Sequence, residues 1–330
     1  MASAEAVAAV IEAGGAHVPE LMDRLEARLA EVAASHGPVL AEHAGATIAA
    51  GGKRLRPLLV FLAAGPDAPT NTDVLRAGVA VELIHSATLV HDDVLDAAPL
   101  RRGRPTVSAV AGRDIATATG DLLFSRAFAE LAATGRADAV QVLSDASSAL
   151  ADGELLQRAD AWDLGVTRER YFQRCDLKTA RLFQAAGRLG ALMESRSLAP
   201  VAGPVDVLGE FGRRIGLAFQ LLDDVLDVSG PAERTGKYRG TDLLDGTVTL
   251  PLILGRERSA GLASLDLRAV RTPAEAEAVC DAIVATGALE VARAEALDIV
   301  EQAKRALPSL PESQQGVLEL VADGVVERYS

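Results

Sequence analysis

The chain has 330 residues, of which 49% are hydrophobic and 3% aromatic, and its formal net charge is −13. This charge argues against a nucleic-acid partner, because the phosphates would be repelled. The two cysteines, Cys175 and Cys280, are too few for a disulfide framework or a zinc cluster, which favours the reducing cytoplasm. We expect no secretion signal, since no basic segment precedes an apolar one, and no transmembrane segment, since no uncharged apolar run reaches about eighteen residues.

Long runs rich in alanine and leucine have helical apolar spacing, and none alternates strictly, so the sequence predicts an all-α protein. Glycine and proline mark breaks at 65–71, 99–105, 135, 198–204 and 230–246. None of these linkers is long or polar enough to divide the chain convincingly. We therefore expect a single domain over residues 1–330.

One predicted helix begins at the capping pair Thr72-Asp73 and runs to Asp96. Steps of three, four, seven and eleven residues return to nearly the same angle around a helix. One face of this helix therefore contains Val81, His85, Thr88, Asp92 and Asp96.

The pentapeptide Asp-Asp-Val-Leu-Asp closes that helix at 92–96 and recurs at 223–227 after another apolar run. Its first and fifth carboxylates lie one turn apart and repel each other unless a cation lies between them. If packing brings the two copies together, they form an all-oxygen site suited to Mg²⁺ and a phosphorylated substrate. Taken alone, either copy could be a solvated acidic helix end.

Short basic clusters accompany the acidic motifs. They are Gly51-Gly52-Lys53-Arg54-Leu55-Arg56-Pro57, Arg101-Arg102-Gly103-Arg104-Pro105, Lys178-Thr179 and Gly236-Lys237-Tyr238-Arg239. Each by itself is more often a solvated surface charge. Their position beside the aspartates favours phosphate binding. Paired glycines allow the backbone to approach a phosphate closely, and arginine guanidinium groups can donate two hydrogen bonds to its oxygens. The spacing is not that of a Walker P-loop.

In this order the motifs closely resemble the trans-isoprenyl diphosphate synthases, the polyprenyl synthetase family. The resemblance runs from about residue 48 to 255 and rests on eight segments: GGKRLRP at 51–57, Glu82 to His85 leading into HDDVLD at 91–96, RRGRPT at 101–106, GDLLFSRAF at 120–128, GELLQ at 153–157, KTARLF at 178–183, GLAFQLLDDVLDVSG at 216–230 and GKYRGTDLLDGTVTLP at 236–251. It implies the isoprenoid synthase fold, in which helices surround a central cavity.

The resemblance also implies the roles of individual residues. Asp92, Asp96 and Asp223 would ligate three Mg²⁺ ions, supported by Asp93, Asp224 and Asp227. The allylic diphosphate site would be completed by Arg101, Lys178, Thr179, Gln220 and Lys237. Isopentenyl diphosphate would be held by Lys53, Arg56, His85 and Arg102. A histidine such as His85 is otherwise most often a hydrogen-bonded core residue.

The implied reaction is head-to-tail prenyl transfer by a cytoplasmic homodimer. The allylic diphosphate ionises, the double bond of isopentenyl diphosphate attacks, and a proton is lost to the released pyrophosphate. A terpene cyclase is a rival function, but it binds no second diphosphate, so the second set of cations argues against it. A non-catalytic partner subunit is another rival, but such subunits typically lose one aspartate motif, and both are intact here. A calcium-binding protein would require EF-hand loops, which the sequence lacks. Thr247 stands where many relatives carry lysine, which leaves one secondary diphosphate contact open.

Product length is predicted from the helix that ends in the first motif. In the family, the growing hydrocarbon runs beside this helix, and the residues four and five before the motif form the first floor. This chain has the small residues Ala87 and Thr88 there, which leave the path of the hydrocarbon open above Ile84 and Val81. The alternative is that Ala87 and Thr88 are small only because two helices pack closely at this point. One turn rises about 5.4 Å, close to one isoprene unit, so we expect a product longer than twenty carbons, about thirty to fifty. A geranylgeranyl or farnesyl diphosphate synthase is the alternative.

Overall fold

The computed structural model describes residues 2–65, 72–101, 103–194, 202–230, 239–307 and 310–327. Its helices are α1 (Ala2–Ala13), α2 (His17–Ala34), α3 (Pro38–Ala49), α4 (Leu55–Ala63), α5 (Thr72–Leu95), α6 (Val107–Ala111), α7 (Arg113–Ala132), α8 (Ala137–Ala159), α9 (Arg168–Cys175), α10 (Arg181–Glu194), α11 (Ala202–Ser229), α12 (Thr241–Leu244), α13 (Leu250–Arg258), α14 (Ala260–Ala263), α15 (Pro273–Val284), α16 (Ala288–Arg305) and α17 (Glu312–Glu327). A π turn (Asp176–Ala180) joins α9 to α10, and a 3₁₀ turn (Leu267–Ala269) follows α14.

In the described part of the chain, strands are confined to a short antiparallel hairpin, β1 (Leu100–Arg101) and β2 (Arg104–Pro105). The all-α prediction is therefore confirmed. The hairpin follows α5 directly and folds Arg101 back toward the end of that helix.

Threonine side chains cap several helices. The hydroxyls of Thr106 and Thr167 accept hydrogen bonds from backbone N–H groups of α6 and α9. Thr272 and Glu275 form a reciprocal capping box at the start of α15. These caps satisfy donors that have no partner within the first helical turn.

The chain divides into two compact units. The first unit comprises Met1–Ser147, Leu182–Gly212 and Leu307–Gly324. The second comprises Ser148–Arg181, Arg213–Ala306 and Val325–Ser330. The first aspartate motif belongs to the first unit and the second motif to the second unit. The single-domain assignment stays a prediction.

The first unit is built around α5, which packs against α2, α4 and α7. It begins at the predicted Thr72 and ends at Leu95, one residue before the predicted end. Among the described helices, α5 alone is long and apolar enough to cross a membrane, but 72% of its most apolar window is buried inside the protein. That burial is typical of a core helix. Close packing against α7 depends on Gly120, where an added Cβ would lie 2.2 Å from His91 Nε2.

The second unit contains α9, the π turn, the second motif on α11, and α12 to α16. Helix α13 packs against α9, α14, α15 and α16, so it forms the centre of this unit. Gly153 of α8 allows close approach to the π turn, because a Cβ there would lie 2.6 Å from the Lys178 backbone nitrogen. Lys178 is consequently held at a defined distance from α8.

Candidate functional site

The first aspartate motif ends α5 with three carboxylates in different environments. Asp92 is half-buried, Asp96 is exposed, and Asp93 is buried with 5% of its surface accessible. The Asp96 N–H donates to the Asp92 carbonyl at 2.8 Å, so these residues lie one turn apart as predicted. Arg101 Nε donates to Asp93 Oδ1 at 2.7 Å from the hairpin. Asp93 is thus a fixed anchor, while Asp92 and Asp96 are more accessible.

The basic segment before α4 is organised by Arg54, which sequence reasoning did not single out. Its backbone is left-handed, with φ of 49°, and its side chain is buried. The guanidinium donates to Glu26 at 2.6 Å and to Glu82 at 2.7 Å. Burial raises the pKa of Glu82, and the nearby Arg54 opposes that rise. Arg54 therefore fixes the turn between Lys53 and Arg56.

The two neighbours of Arg54 that were predicted to bind phosphate are both half-buried. The Arg56 guanidinium lies 4.5 Å from the ring centroid of Phe183, a cation–π contact within the first unit. Lys53 lies in the irregular segment before α4. Arg102, the fourth residue of this predicted group, lies outside the described residues.

A cavity of about 450 Å³ opens in the first unit beside α5. His85 and Ser86 line it from α5, Gly51 from the segment before α4, and Arg101 and Arg104 from the hairpin. The cavity therefore brings two predicted phosphate ligands, His85 and Arg101, next to Arg104 and a glycine backbone. Its volume is suited to a small organic ligand.

The predicted chain-length residues lie along one side of α5. Val81, Ile84 and Ala87 are fully buried, whereas Thr88 is half-buried and donates to the His85 carbonyl at 2.8 Å. Helix α7, which contains the GDLLFSRAF segment, packs along α5. Near the motif, the rings of His91 and Phe124 stack with centroids 5.7 Å apart.

The second motif repeats the pattern of the first. Asp223 and Asp227 are half-buried, and Asp224 has only 5% of its surface accessible. Asp224 accepts from the Tyr171 hydroxyl at 2.6 Å and from Gln220 Nε2 at 2.7 Å. Burial, followed by the nearby carboxylates of Asp242 and Asp223, raises the pKa of Asp224 to about 8.

Asp227 connects the end of α11 with the segment that follows it. Its carbonyl accepts from the Gly240 N–H at 2.9 Å, and its Oδ2 accepts from the Asp242 N–H at 3.3 Å. Arg239 strengthens the same corner by pairing with Asp281 of α15 at 3.0 Å. Lys237 lies outside the described residues.

Lys178 and Thr179 lie in the π turn, a rare geometry that often marks functional segments. Lys178 Nζ pairs with Glu154 Oε2 at 2.5 Å. Burial favours a higher pKa for Glu154, but Lys178 and Arg158 outweigh it and hold the pKa below its ordinary value. The Thr179 hydroxyl donates to Gln220 Oε1 at 2.6 Å.

Two arginines anchor the start of the π turn at Asp176. Arg181 Nε donates to Asp176 Oδ2 at 2.8 Å, and Arg213 Nε donates to Oδ1 at 2.5 Å. Sequence reasoning missed these anchors and also Tyr171. Tyr171 precedes Lys178 by seven residues, about two helical turns, so helical spacing was the available signal.

Hard cations prefer the oxygen donors that both motifs present. Among the described side chains, no group of three or more histidines, cysteines, aspartates or glutamates is close enough to hold a metal by itself. Within each unit, however, the more accessible aspartates form a pair one turn apart beside a buried, anchored carboxylate. Such pairs fit Mg²⁺ that takes its remaining ligands from water and substrate phosphate.

Known proteins share both the sequence and the fold. The polyprenyl synthetase family model matches residues 38–286. The short chain isoprenyl diphosphate synthase of Methanothermobacter thermautotrophicus is 36% identical over 85% of this chain and 88% of that protein. The octaprenyl diphosphate synthase of Escherichia coli is 34% identical, over 81% of this chain and 82% of that one. The crystal structure of a Caulobacter crescentus polyprenyl synthase, complexed with calcium and isoprenyl diphosphate, superposes with a TM-score of 0.88 at 34% identity, over 98% of both chains.

Proposed function

Because this chain belongs to the polyprenyl synthetase family and is a trans-prenyl diphosphate synthase, we propose that it condenses isopentenyl diphosphate with an allylic diphosphate in a Mg²⁺-dependent reaction. The observation that carries the proposal is the parallel construction of the two aspartate motifs. In each copy the second aspartate is buried and held by a side-chain donor, Arg101 for Asp93 and Tyr171 for Asp224. The first and fifth aspartates of each copy remain more accessible.

This construction supports Asp92, Asp96 and Asp223 as the ligands of Mg²⁺, of which we propose that three ions bind. Asp93, Asp224 and Asp227 then orient the ligands or bind through water, since residues behind metal ligands commonly fix their geometry. Mg²⁺ bound there supplies positive charge that stabilises the leaving diphosphate.

The allylic diphosphate is proposed to contact Arg101, Lys178, Thr179, Gln220 and Lys237. In the second unit, Lys178 is paired with Glu154 and Thr179 with Gln220, so both polar groups are already oriented. Pre-oriented donors require little reorganisation when they meet a developing anion. Exchange of Glu154 for a diphosphate oxygen would leave Lys178 with a stronger partner.

Isopentenyl diphosphate is proposed to bind Lys53, Arg56, His85 and Arg102. His85 supports this assignment because it lines the cavity beside α5 together with Gly51, whose missing side chain allows close backbone approach. The Arg54 turn between Lys53 and Arg56 limits how far these two cations can move. No side-chain nucleophile is required for the condensation.

We propose a product longer than twenty carbons, about thirty to fifty, because one helical turn of α5 admits roughly one isoprene unit. Ala87 and Thr88 supply little bulk at the first level, and Ile84 and Val81 follow below. The family relatives named above include both short-chain and octaprenyl enzymes, so the residues of α5 carry this part of the proposal.

A cytoplasmic homodimer remains our proposal for assembly and location. Two large apolar side chains, Val110 and Leu155, have 62% and 69% of their surfaces exposed in the single protomer. Analytical ultracentrifugation measures the assembly directly, and a monomer at assay concentration would contradict the homodimer.

The test of function is incubation of the purified protein with labelled isopentenyl diphosphate and one primer of five, ten, fifteen or twenty carbons. Extraction and sizing of the products, with Mg²⁺ and with EDTA, gives both activity and product length. We expect elongation that EDTA abolishes. Absence of elongation with every primer would contradict the function, whereas products ending at fifteen or twenty carbons would contradict the length alone.

A further inference from the structure

The buried hydroxyl of Tyr171 lies at one end of a hydrogen-bonded chain that the assignments above do not explain. It donates to Asp224 at 2.6 Å, Gln220 donates to Asp224 at 2.7 Å, and Thr179 donates to Gln220 at 2.6 Å. We call these four residues the Tyr171 network. All four lie in the second unit, and Tyr171 is completely buried.

The Tyr171 network links two segments at two points. Tyr171 comes from α9 and Thr179 from the π turn, eight positions later, while Gln220 and Asp224 stand one turn apart on α11. The chain between Tyr171 and Thr179 therefore closes a ring with the hydrogen bonds. A closed ring restrains α11 and the π turn more strongly than one isolated bond.

The Tyr171 side chain and the Asp224 carboxyl are both buried. A buried carboxyl that loses a hydrogen-bond donor also loses part of the compensation for its burial. The two hydrogen bonds at Asp224 are short, 2.6 Å from the Tyr171 hydroxyl and 2.7 Å from Gln220 Nε2. The phenol is thus a specific polar contact as well as a packed ring.

We propose that Tyr171 is a positioning residue that holds Asp224 and, through Gln220, Thr179, so that the second aspartate motif and the π turn keep one arrangement for receiving the allylic diphosphate. This inference rests on the proposed function. Tyr171 itself touches neither metal nor substrate in it. The first unit, which carries Lys53 and His85, is unaffected.

Tyr171→Phe removes only the hydroxyl and is the direct test. In initial-rate assays we expect the KM for the allylic primer and the Mg²⁺ concentration for half-maximal rate to rise about 10- to 100-fold, the usual cost of losing a group behind a metal ligand. The KM for isopentenyl diphosphate should stay within about twofold. Loss of packing alone would not separate the two substrates in this way.

Thr167→Ala is the matched control, because it removes the cap of the same helix and leaves the Tyr171 network intact. We expect a lower melting temperature with both KM values and the Mg²⁺ requirement unchanged. If Thr167→Ala reproduces the kinetic changes of Tyr171→Phe, the effect arises from general destabilisation of α9 and the inference is overturned.

Two further outcomes are decisive. Wild-type elongation combined with unchanged primer and Mg²⁺ dependence in Tyr171→Phe overturns the positioning role and leaves the proposed function standing. A wild-type protein that elongates no primer overturns both. Should Tyr171→Phe fail to fold by circular dichroism, Gln220→Met breaks the same ring at similar side-chain volume, and an unchanged primer KM in that variant overturns the inference.

Discussion

At the scale of single residues, the two copies of the Asp-Asp-Val-Leu-Asp pentapeptide show the same pattern of burial. Asp93 and Asp224 are buried and held, and their neighbours at the first and fifth positions are more accessible. The spacing of the carboxylates could be predicted from the sequence, because it follows from 3.6 residues per turn. The hydrogen-bond partner of each buried carboxyl could not be predicted, since tertiary packing brings Arg101 to Asp93 and Tyr171 to Asp224.

Asp92→Ala and Asp223→Ala should each lower kcat about 10³-fold or more while the fold remains intact. Each removes a proposed metal ligand, and relief of carboxylate repulsion compensates for lost contacts in the unliganded protein. Asp145→Ala, on an exposed helix face, is the control with normal turnover. Steady-state kinetics with Mg²⁺ and circular dichroism measure both effects; near-normal turnover in either motif variant would refute the metal assignment.

The two diphosphate sites should separate kinetically. Lys53→Ala should raise the KM for isopentenyl diphosphate about 10- to 100-fold, the cost of a lost charged hydrogen bond. Lys178→Ala should instead raise the KM for the allylic primer. Each variant is assayed with one substrate varied and the other saturating, and equal effects on both substrates would mean that the sites are partitioned wrongly.

At the scale of helices, α5 shows what sequence can and cannot supply. Its start at Thr72 and its end near Asp96 were predictable from a cap, apolar spacing and the proline-containing segment that follows. Its pairing with α7 through Gly120 and His91 was not, because periodicity identifies an apolar face without identifying what covers it. The π turn was equally hidden, and so were the contacts of Arg181 and Arg213 with Asp176 at its start.

Ala87→Phe should shorten the product to about fifteen or twenty carbons, because the added ring fills roughly one turn of path beside α5. Ala87 is fully buried, so overpacking should also cost about 1–3 kcal/mol of stability. Ala87→Val is the graded control and should shorten the product less. Product sizing beside thermal melts distinguishes the two effects, and an unchanged product in a folded Phe variant would contradict the path.

A buried ion cluster joins three helices of the first unit. Glu130 of α7, with 1% of its side chain exposed, accepts from Arg28 of α2 at 2.6 Å and from Arg76 of α5 at 3.2 Å. In the sequence, nothing distinguishes Glu130 from a charged residue on the exposed face of a helix. Only the structure shows that the two arginines converge on it.

Glu130→Gln should lower the free energy of unfolding by about 3 kcal/mol, since it leaves two arginines facing a neutral buried group. The matched control is Glu31→Gln, which removes the exposed partner of Arg28 and should cost about 0.5 kcal/mol or less. Urea unfolding followed by circular dichroism gives both values. Equal costs would show that burial contributes nothing to this cluster.

At the scale of the whole molecule, ligand binding should stabilise the protein. Mg²⁺ with pyrophosphate binds the folded state, and occupancy at a hundredfold excess over the dissociation constant adds about 2.7 kcal/mol. We expect a higher melting temperature with both components, its reversal by EDTA, and a smaller shift in Asp92→Ala. Differential scanning fluorimetry measures these shifts; a wild-type protein that does not respond would argue against the proposed site.

The family and the helical architecture were predictable because eight ordered motifs and long apolar runs are properties of the linear chain. The division into two compact units was not predictable, since helices such as α8 and α11 contribute residues to both without any break in sequence. Roles for Arg102 and Lys237 remain predictions from the motifs.

Two structural requirements meet at position 54: a left-handed backbone and a side chain that reaches the buried Glu82. Glycine would adopt the left-handed backbone conformation with the least strain, yet it would leave the buried Glu82 carboxyl without the Arg54 guanidinium. Lysine would keep the charge but not the flat fork that meets Glu26, Glu82 and the Ile48 carbonyl together. Glycine would therefore relieve the backbone but leave Glu82 without its partner, whereas lysine would help neither, so we expect a glycine at this position to be tolerated only together with a neutral residue at position 82.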